Sequence, residues 1–267
     1  MSLKQAMEIL LSTSNERILN IKKLIESIDF DFCELLIGHQ ISYDLSSESK
    51  NYIKQLHQNG KIKYFPLSSQ GVTKNRNFLI NKSISKFIAF CDDDIQYLPG
   101  SLRNVIDIME KESLDVVSGI TLTTGNRRIK NYKAQRCVHS KFSILKVGTV
   151  EVVARREALG SSVRFPEDMG AGELYPICDE PVFLAKCIER GLKLEYIPID
   201  ICIHPPVSSG MTISDKFTEA RGLCFKRVFG VKGFFLLFPF SLKMKLKNRK
   251  INLLRFITHL SKGFFHK

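Results

Sequence analysis

An α/β fold, with a mixed but mostly parallel sheet flanked by helices, is what this sequence predicts. Two observations carry that expectation. Short apolar runs of strand length alternate with segments whose apolar residues recur at helical spacing, from Glu8 to Ile203. At the centre stands Lys86-Phe87-Ile88-Ala89-Phe90-Cys91-Asp92-Asp93-Asp94-Ile95, where a run without polar alternation meets three carboxylates. A strand of that kind is covered on both faces. With 267 residues, 44% of them apolar, a sizeable core is within reach.

The elements follow in order. Glu8 to Leu11 reads as a strand leading to Ser12-Thr13-Ser14-Asn15, where Ser14 or Asn15 can cap a helix bearing Ile18, Ile21, Leu24, Ile25 and Ile28. Cys33 to Ile41 is a second strand, Asn51 to Asn59 a helix stopped by Gly60, and Lys61 to Phe65 a third strand. Gly71-Val72-Thr73 opens a helix with Arg76 and Asn77, and the central strand comes next. After Pro99, Leu102, Val105, Ile106 and Met109 mark a helix, and Asp115 to Leu122 a strand. Thr123 to Ser140 is polar, basic and aperiodic, a long loop. Val147 to Ala154 alternates as a strand, and Phe165 to Gly172 is a glycine-containing loop. Cys178-Asp179-Glu180 enters a helix with Pro181 near its start and Gly191 closing it. Leu194 to Ile203 supplies one or two strands, ended by His204-Pro205-Pro206.

The net charge of +13 is unevenly placed: twelve Lys or Arg and no acid lie beyond Glu219, which leaves residues 1–219 with 28 basic and 27 acidic side chains. The positive charge belongs to the tail. Seven scattered cysteines without a C-x-x-C pair fit buried reduced thiols in a cytosolic protein. Met7 to Leu11 is too short for a signal-peptide core, and no run reaches the roughly 18 apolar residues of a membrane span.

The carboxylate triplet admits two readings. At the carboxyl end of a buried strand, where open α/β sheets bind ligands, Asp92 and Asp94 can point together at one hard cation. Alternatively it is an acidic turn with Asp94 or Ser101 capping the next helix.

Five ordered pieces resemble the GT-A-fold glycosyltransferases of family 2, of the kind that build bacterial polysaccharide and lipopolysaccharide. They are Gly71-Val72-Thr73-Lys74-Asn75-Arg76-Asn77; Phe90-Cys91-Asp92-Asp93-Asp94, which is similar to a D-x-D motif; Phe165 to Gly172; Asp179-Glu180-Pro181-Val182-Phe183; and Tyr196-Ile197-Pro198 to His204. The likeness spans roughly residues 6–210. It implies a Rossmann-like catalytic domain over 1–215, with a nucleotide-sugar half to about 122 and an acceptor half from 123, followed by a basic amphipathic extension over 216–267. The implied activity is transfer of a sugar, with inversion, from a nucleotide-sugar donor to a hydroxyl of a glycan or lipid-linked glycan.

On that resemblance Asp92 reaches the nucleotide's ribose or base side, and Asp94 holds Mn²⁺ or Mg²⁺ with the diphosphate oxygens. Asp93 stays on the nucleotide side without an assigned role. Glu180 is the general base and Asp179 the fallback. His204 either completes the metal site or ends a strand as an ordinary polar residue. Arg76 faces the phosphates or pairs with the triplet, and Thr13 meets the nucleobase or caps a helix. Two departures stand out. Leu36-Ile37-Gly38-His39-Gln40 lacks the acid that many relatives place against the base, so uridine is a default. The usual Glu-Asp pair is here Asp-Glu. Acceptor choice is expected from Thr123 to Ser140 and Met169 to Ile177.

In the tail, Phe225, Phe229 and Phe234 to Phe240 interleave with basic residues, Leu242 to Lys247 alternates, and Ile251, Leu254, Ile257 and Leu260 follow helical spacing. Such a segment either lies on an anionic membrane at the cytoplasmic face or packs on the catalytic domain. A nucleotidyltransferase would want a glycine-rich loop where Leu11-Ser12-Thr13-Ser14-Asn15 has no glycine. A nucleic-acid binder would not carry clustered acids on a near-neutral body, and no nucleic acid is expected as partner.

Overall fold

The computed structural model describes residues 6–205 and 214–266. Strands β1 (Met7–Ser14), β2 (Cys33–Gln40), β3 (Ile62–Leu67), β4 (Phe87–Cys91), β5 (Gln96–Tyr97), β6 (Val116–Leu122), β7 (Cys137–Val138), β8 (Val152–Arg155) and β9 (Leu194–Ile203) form one sheet in the order 3-2-1-4-8-6-9-5, with β7 beside β9. The long pairings β1/β2, β1/β4, β2/β3 and β6/β9 are parallel. The short β8 enters antiparallel between β4 and β6.

Period-two alternation divides β1 between two cores. Met7, Ile9 and Leu11 face Ile18, Ile21, Val105 and Met109 on one side of the sheet. Leu10 joins Leu36, Phe90, Leu79 and Phe183 on the other. Helices α1 (Lys22–Ser27) and α4 (Ser101–Lys111) thus cover one face, and α3 (Val72–Lys82) and α6 (Asp179–Glu189) the opposite one. That double cover is why Phe87 to Cys91 carries no polar residue. Phe183 stacks on Phe165 with centroids 4.2 Å apart and meets Phe90 edge-on; truncating such a ring costs about 3–5 kcal/mol.

Several boundaries differ from expectation. β1 runs on to Ser14 because Ser12, Thr13 and Ser14 pair with Gly38, His39 and Gln40. A 3-10 turn, Asn15–Ile21, precedes α1, and neither Ser14 nor Asn15 caps it: the Asn15 carboxamide accepts from Ser42 instead. Helix α2 (Ser47–Leu56) starts earlier than Asn51, since the Ser46 hydroxyl caps the Ser49 amide. The strand expected over Val147 to Ala154 shortens to β8, because the Glu151 carboxylate accepts the Gly148 amide and closes a turn; the one-turn helix α5 (Arg156–Leu159) follows β8. Within the Thr123–Ser140 loop, β7 adds two residues to the sheet. Pro206, expected to end the last strand, lies outside the described residues.

Helix α7 (Asp215–Phe229) sinks Ala220, Leu223, Cys224 and Val228 into the core that holds Leu10 and Phe90. Helices α8 (Phe234–Lys247) and α9 (Leu253–Phe264) follow, so the alternation at Leu242 to Lys247 is helical. Ile251 and Leu260 are buried, placing much of that stripe in packing. The backbones of α7 and α9 touch: a Cβ on Gly222 would run into the Leu260 carbonyl, and one on Gly263 into that of Glu219. All seven cysteines are free. No helix among the described residues is long and apolar enough to cross a membrane.

Candidate active site

β1 and β4 stay paired only to Leu11 and Cys91, so the chain after β4 turns away while β1 continues. The triplet lies in the turn between β4 and β5, and Thr13 reaches across to it. Asp93 is turned inward, 2% exposed. It accepts from the Thr13 hydroxyl at 2.7 Å and from Arg17 Nε at 2.8 Å, and a second Arg17 nitrogen takes its other oxygen. Asp92 and Asp94 are each about a third exposed and face the cleft. A turn therefore does form, yet its middle acid is locked in place and only its outer acids are available to a ligand.

Asp94 Oδ1 is buried and has no hydrogen-bond partner among the described residues, while His204 Nε2 lies 3.4 Å away. Burial pushes the Asp94 carboxyl up; His204 lowers it, and the charges of Asp92 and Asp93 raise it further. The His204 Nδ1 sits 2.5 Å from the Pro205 carbonyl, where only an N–H can be accommodated. In the neutral ring that leaves a lone pair on Nε2, whereas the imidazolium would turn an N–H toward Asp94. An orphaned carboxylate oxygen beside a free imidazole nitrogen suits a divalent cation. Asp92 is the less available ligand, because its Oδ1 accepts from Arg76 at 2.9 Å. Among the described residues no cluster of three or more His, Cys, Asp or Glu is arranged to hold a metal, so other ligands would have to complete the shell.

The second acidic pair begins α6. Cys178 adopts a left-handed conformation (φ 73°), unusual for a residue with a Cβ, and swings the chain into the helix. Asp179, 3% exposed, accepts from Arg76 at 2.7 Å. Burial and then the Glu180 charge raise the Asp179 carboxyl against the pull of Arg76, to about 7. Glu180 accepts from the Thr149 hydroxyl at 2.6 Å. Arg76 thus bridges the triplet to the acidic pair through Asp92 and Asp179.

The helix bearing Arg76 is held by the glycine-containing loop. The Val72 amide donates to the Ala171 carbonyl at 3.0 Å, and the Thr73 hydroxyl to that of Met169 at 2.9 Å. Asn77 grips the Phe165 backbone with both ends of its carboxamide. Gly71 (φ 96°) holds a conformation that residues with a Cβ rarely adopt, and a Cβ there would press on the Glu173 side chain. Thr13, Arg76, Asp92, Asp93, Asp94, Asp179, Glu180 and His204 all line one cleft of about 850 Å³. Lys130, from the long loop, enters the same cleft and pairs with the buried Glu151 at 2.7 Å. Arg17 and Thr149 were not expected there. Arg17 follows the first strand by three residues, the one signal that could have marked it, whereas nothing in sequence ties Thr149 to Glu180.

An α/β sheet whose central strand ends in acids, facing a second acidic pair at a helix start, defines a GT-A glycosyltransferase arrangement. Residues 13–156, more than half of the chain, match glycosyl transferase family 2, and the chain belongs to that family. Among curated proteins none matches significantly. Solved structures share the fold at low identity. S. aureus TarS 1–349 in complex with UDP-GlcNAc superposes with TM-score 0.70 at 15% identity, covering 96% of this chain and 80% of that one. The same protein with UDP gives 0.66 at 16%, covering 96% and 81%. The mannosyltransferase PcManGT from Pyrobaculum calidifontis, with GDP-Man and Mn²⁺, gives 0.57 at 13%, covering 97% and 69%.

Proposed function

We propose that this chain moves a sugar from a nucleotide-sugar donor to a hydroxyl of a glycan or lipid-linked glycan, with inversion, in cell-surface polysaccharide synthesis. The observation that carries the reading is the pairing, in one cleft, of Asp94 and its orphaned oxygen beside His204 with Glu180 beside Thr149. Asp94 and His204 would hold Mn²⁺ or Mg²⁺, with diphosphate oxygens as the remaining ligands. When bound, such an ion neutralises charge growing on the departing nucleoside diphosphate.

The chain's own residues do the rest. Arg76 orients Asp92 toward the ribose side of the donor, and Thr13 with Asp93 builds the wall at the end of β1. Glu180 takes the proton from the acceptor hydroxyl as its oxygen attacks the anomeric carbon, on the face opposite the leaving group. The Thr149 hydroxyl holds Glu180 in place for that transfer. Asp179, buried against Arg76, fixes the helix start. The TarS complexes carry uridine nucleotides and PcManGT a guanosine one, so both belong among the candidate donors.

A thermal-shift panel of nucleotide sugars with Mn²⁺, Mg²⁺ or EDTA tests the reading. A donor at 100 times its Kd adds about 2.7 kcal/mol. The expected result is a metal-dependent shift with one donor that disappears in Asp94→Ala; a folded wild type that stays silent across the panel overturns it.

A further inference from the structure

The three C-terminal helices use their apolar residues differently. Helices α7 and α9 turn most of theirs inward, with Leu223, Val228, Phe256, Leu260 and Phe264 all buried, and Leu254 of α9 is the exception at 77% exposed. Helix α8 buries only Leu237 and Ser241. Its other side leaves Phe235 78%, Phe238 61%, Leu242 42% and Leu246 74% exposed, and Val231, just before the helix, is 74% exposed. Steps of four, three, four and four residues put these side chains in one stripe. Lys232, Lys243 and Lys247 are exposed nearby, and no Asp or Glu follows Glu219 in the chain.

We infer that this face of α8 rests on the surface of an anionic lipid bilayer. The stripe stands exposed on an outer helix, and a lipid surface needs only such an apolar ridge to sink into it. Its flanking charge is of one sign and complements anionic headgroups. A second copy docked stripe to stripe would set two lysine rims against each other. At 14 residues, α8 is shorter than the roughly 20 a span requires, so it lies in the interface. The contact extends the proposed function by naming the surface at which a lipid-carried acceptor is met, and it stands without that reading.

Deleting the tail would strip α7 from the core, so point variants of the full chain are the test. Wild type is expected to cosediment with vesicles of phosphatidylcholine and phosphatidylserine in a four-to-one ratio, and to stay in the supernatant with phosphatidylcholine alone. The double variant Phe235→Ser/Phe238→Ser should bind about tenfold or more weakly at unchanged melting temperature, since both rings are exposed. Lys232→Glu/Lys243→Glu should lose the preference for anionic vesicles, and it carries the test should the first variant fail to fold. Wild type left in the supernatant with anionic vesicles, variants that pellet as well as wild type, or a lipid-free dimer dispersed by Phe235→Ser would each overturn the inference. The donor-dependent thermal shift, read on the same proteins, separates the two ideas. Lost vesicle binding with an intact shift sinks only the membrane contact, and bound vesicles without a shift sink only the transferase reading.

Discussion

Asp93 and Asp94 after β4, and Asp179 and Glu180 at the start of α6, each combine an acid turned into the protein with one turned toward the cleft. The inward acids are both held by arginines, but at different depths. Arg17, the partner of Asp93, has a side chain 55% exposed, whereas Arg76 and Asp179 are each 5% exposed. The outward acids differ too. Glu180 has a hydroxyl on one oxygen, while Asp94 has an oxygen with no hydrogen-bond partner among the described residues. On the proposed reading the hydrogen-bonded carboxylate serves the acceptor hydroxyl and the other serves a cation. Two acidic motifs that look alike in sequence thus sit in different surroundings.

The largest effect expected from breaking this contrast is at Asp94. Asp94→Ala should lower turnover by about 10³, through loss of Lewis-acid stabilisation worth several kcal/mol; initial rates at saturating metal read it, and near-normal turnover would place the cation elsewhere. Next comes the depth of the two arginine pairs. Asp179→Ala leaves a buried guanidinium short of a partner and should cost about 3 kcal/mol in chemical denaturation. Asp93→Ala should cost only about 1 kcal/mol, because Arg17 can turn to water; equal losses would erase the distinction. Glu180→Gln should keep the donor-induced thermal shift while turnover falls by about 10². A lost shift would move Glu180 to donor binding.

The smallest effect lies outside the cleft and gives a baseline for titration there. His139 contacts the Ser118 and Ser143 hydroxyls, and burial, then Lys133 and Lys130, push its value from 6.5 down to about 4. The folded value lies below the unfolded one, so the protein's stability contribution from this group is present above pH 6.5 and is lost as pH falls toward 4. His139→Gln should flatten the decline in melting temperature over that interval by a few degrees. An unchanged slope would show that His139 takes no part in the decline.

Much of the sheet was legible because its physics is local. The unbroken run Phe87 to Cys91 announces a doubly covered strand, and Asp179-Glu180-Pro181 a helix start. What escaped is mostly set by distant partners. Arg17 meets Asp93 across 76 positions, Arg76 meets Asp179 across 103, and Thr149 meets Glu180 across 31. No periodicity encodes such pairs. Strand β8 was drawn too long because alternation over Val147 to Ala154 says nothing of a carboxylate closing the turn at Gly148. Leu242 to Lys247 alternates as a strand does, yet it continues a helix begun at Phe234.

The glycine contacts between α7 and α9 have a mechanical consequence. Where Gly222 meets the Leu260 carbonyl and Gly263 that of Glu219, there is no clearance for either helix to slide or roll. Gly233, at the entrance to α8, is pressed in the same way against the Phe225 carbonyl. A hinge needs slack, and these joints have none. Force applied to the outer helix passes through α7 into the core that holds Phe90, so the tail is a fixed bracket on the sheet.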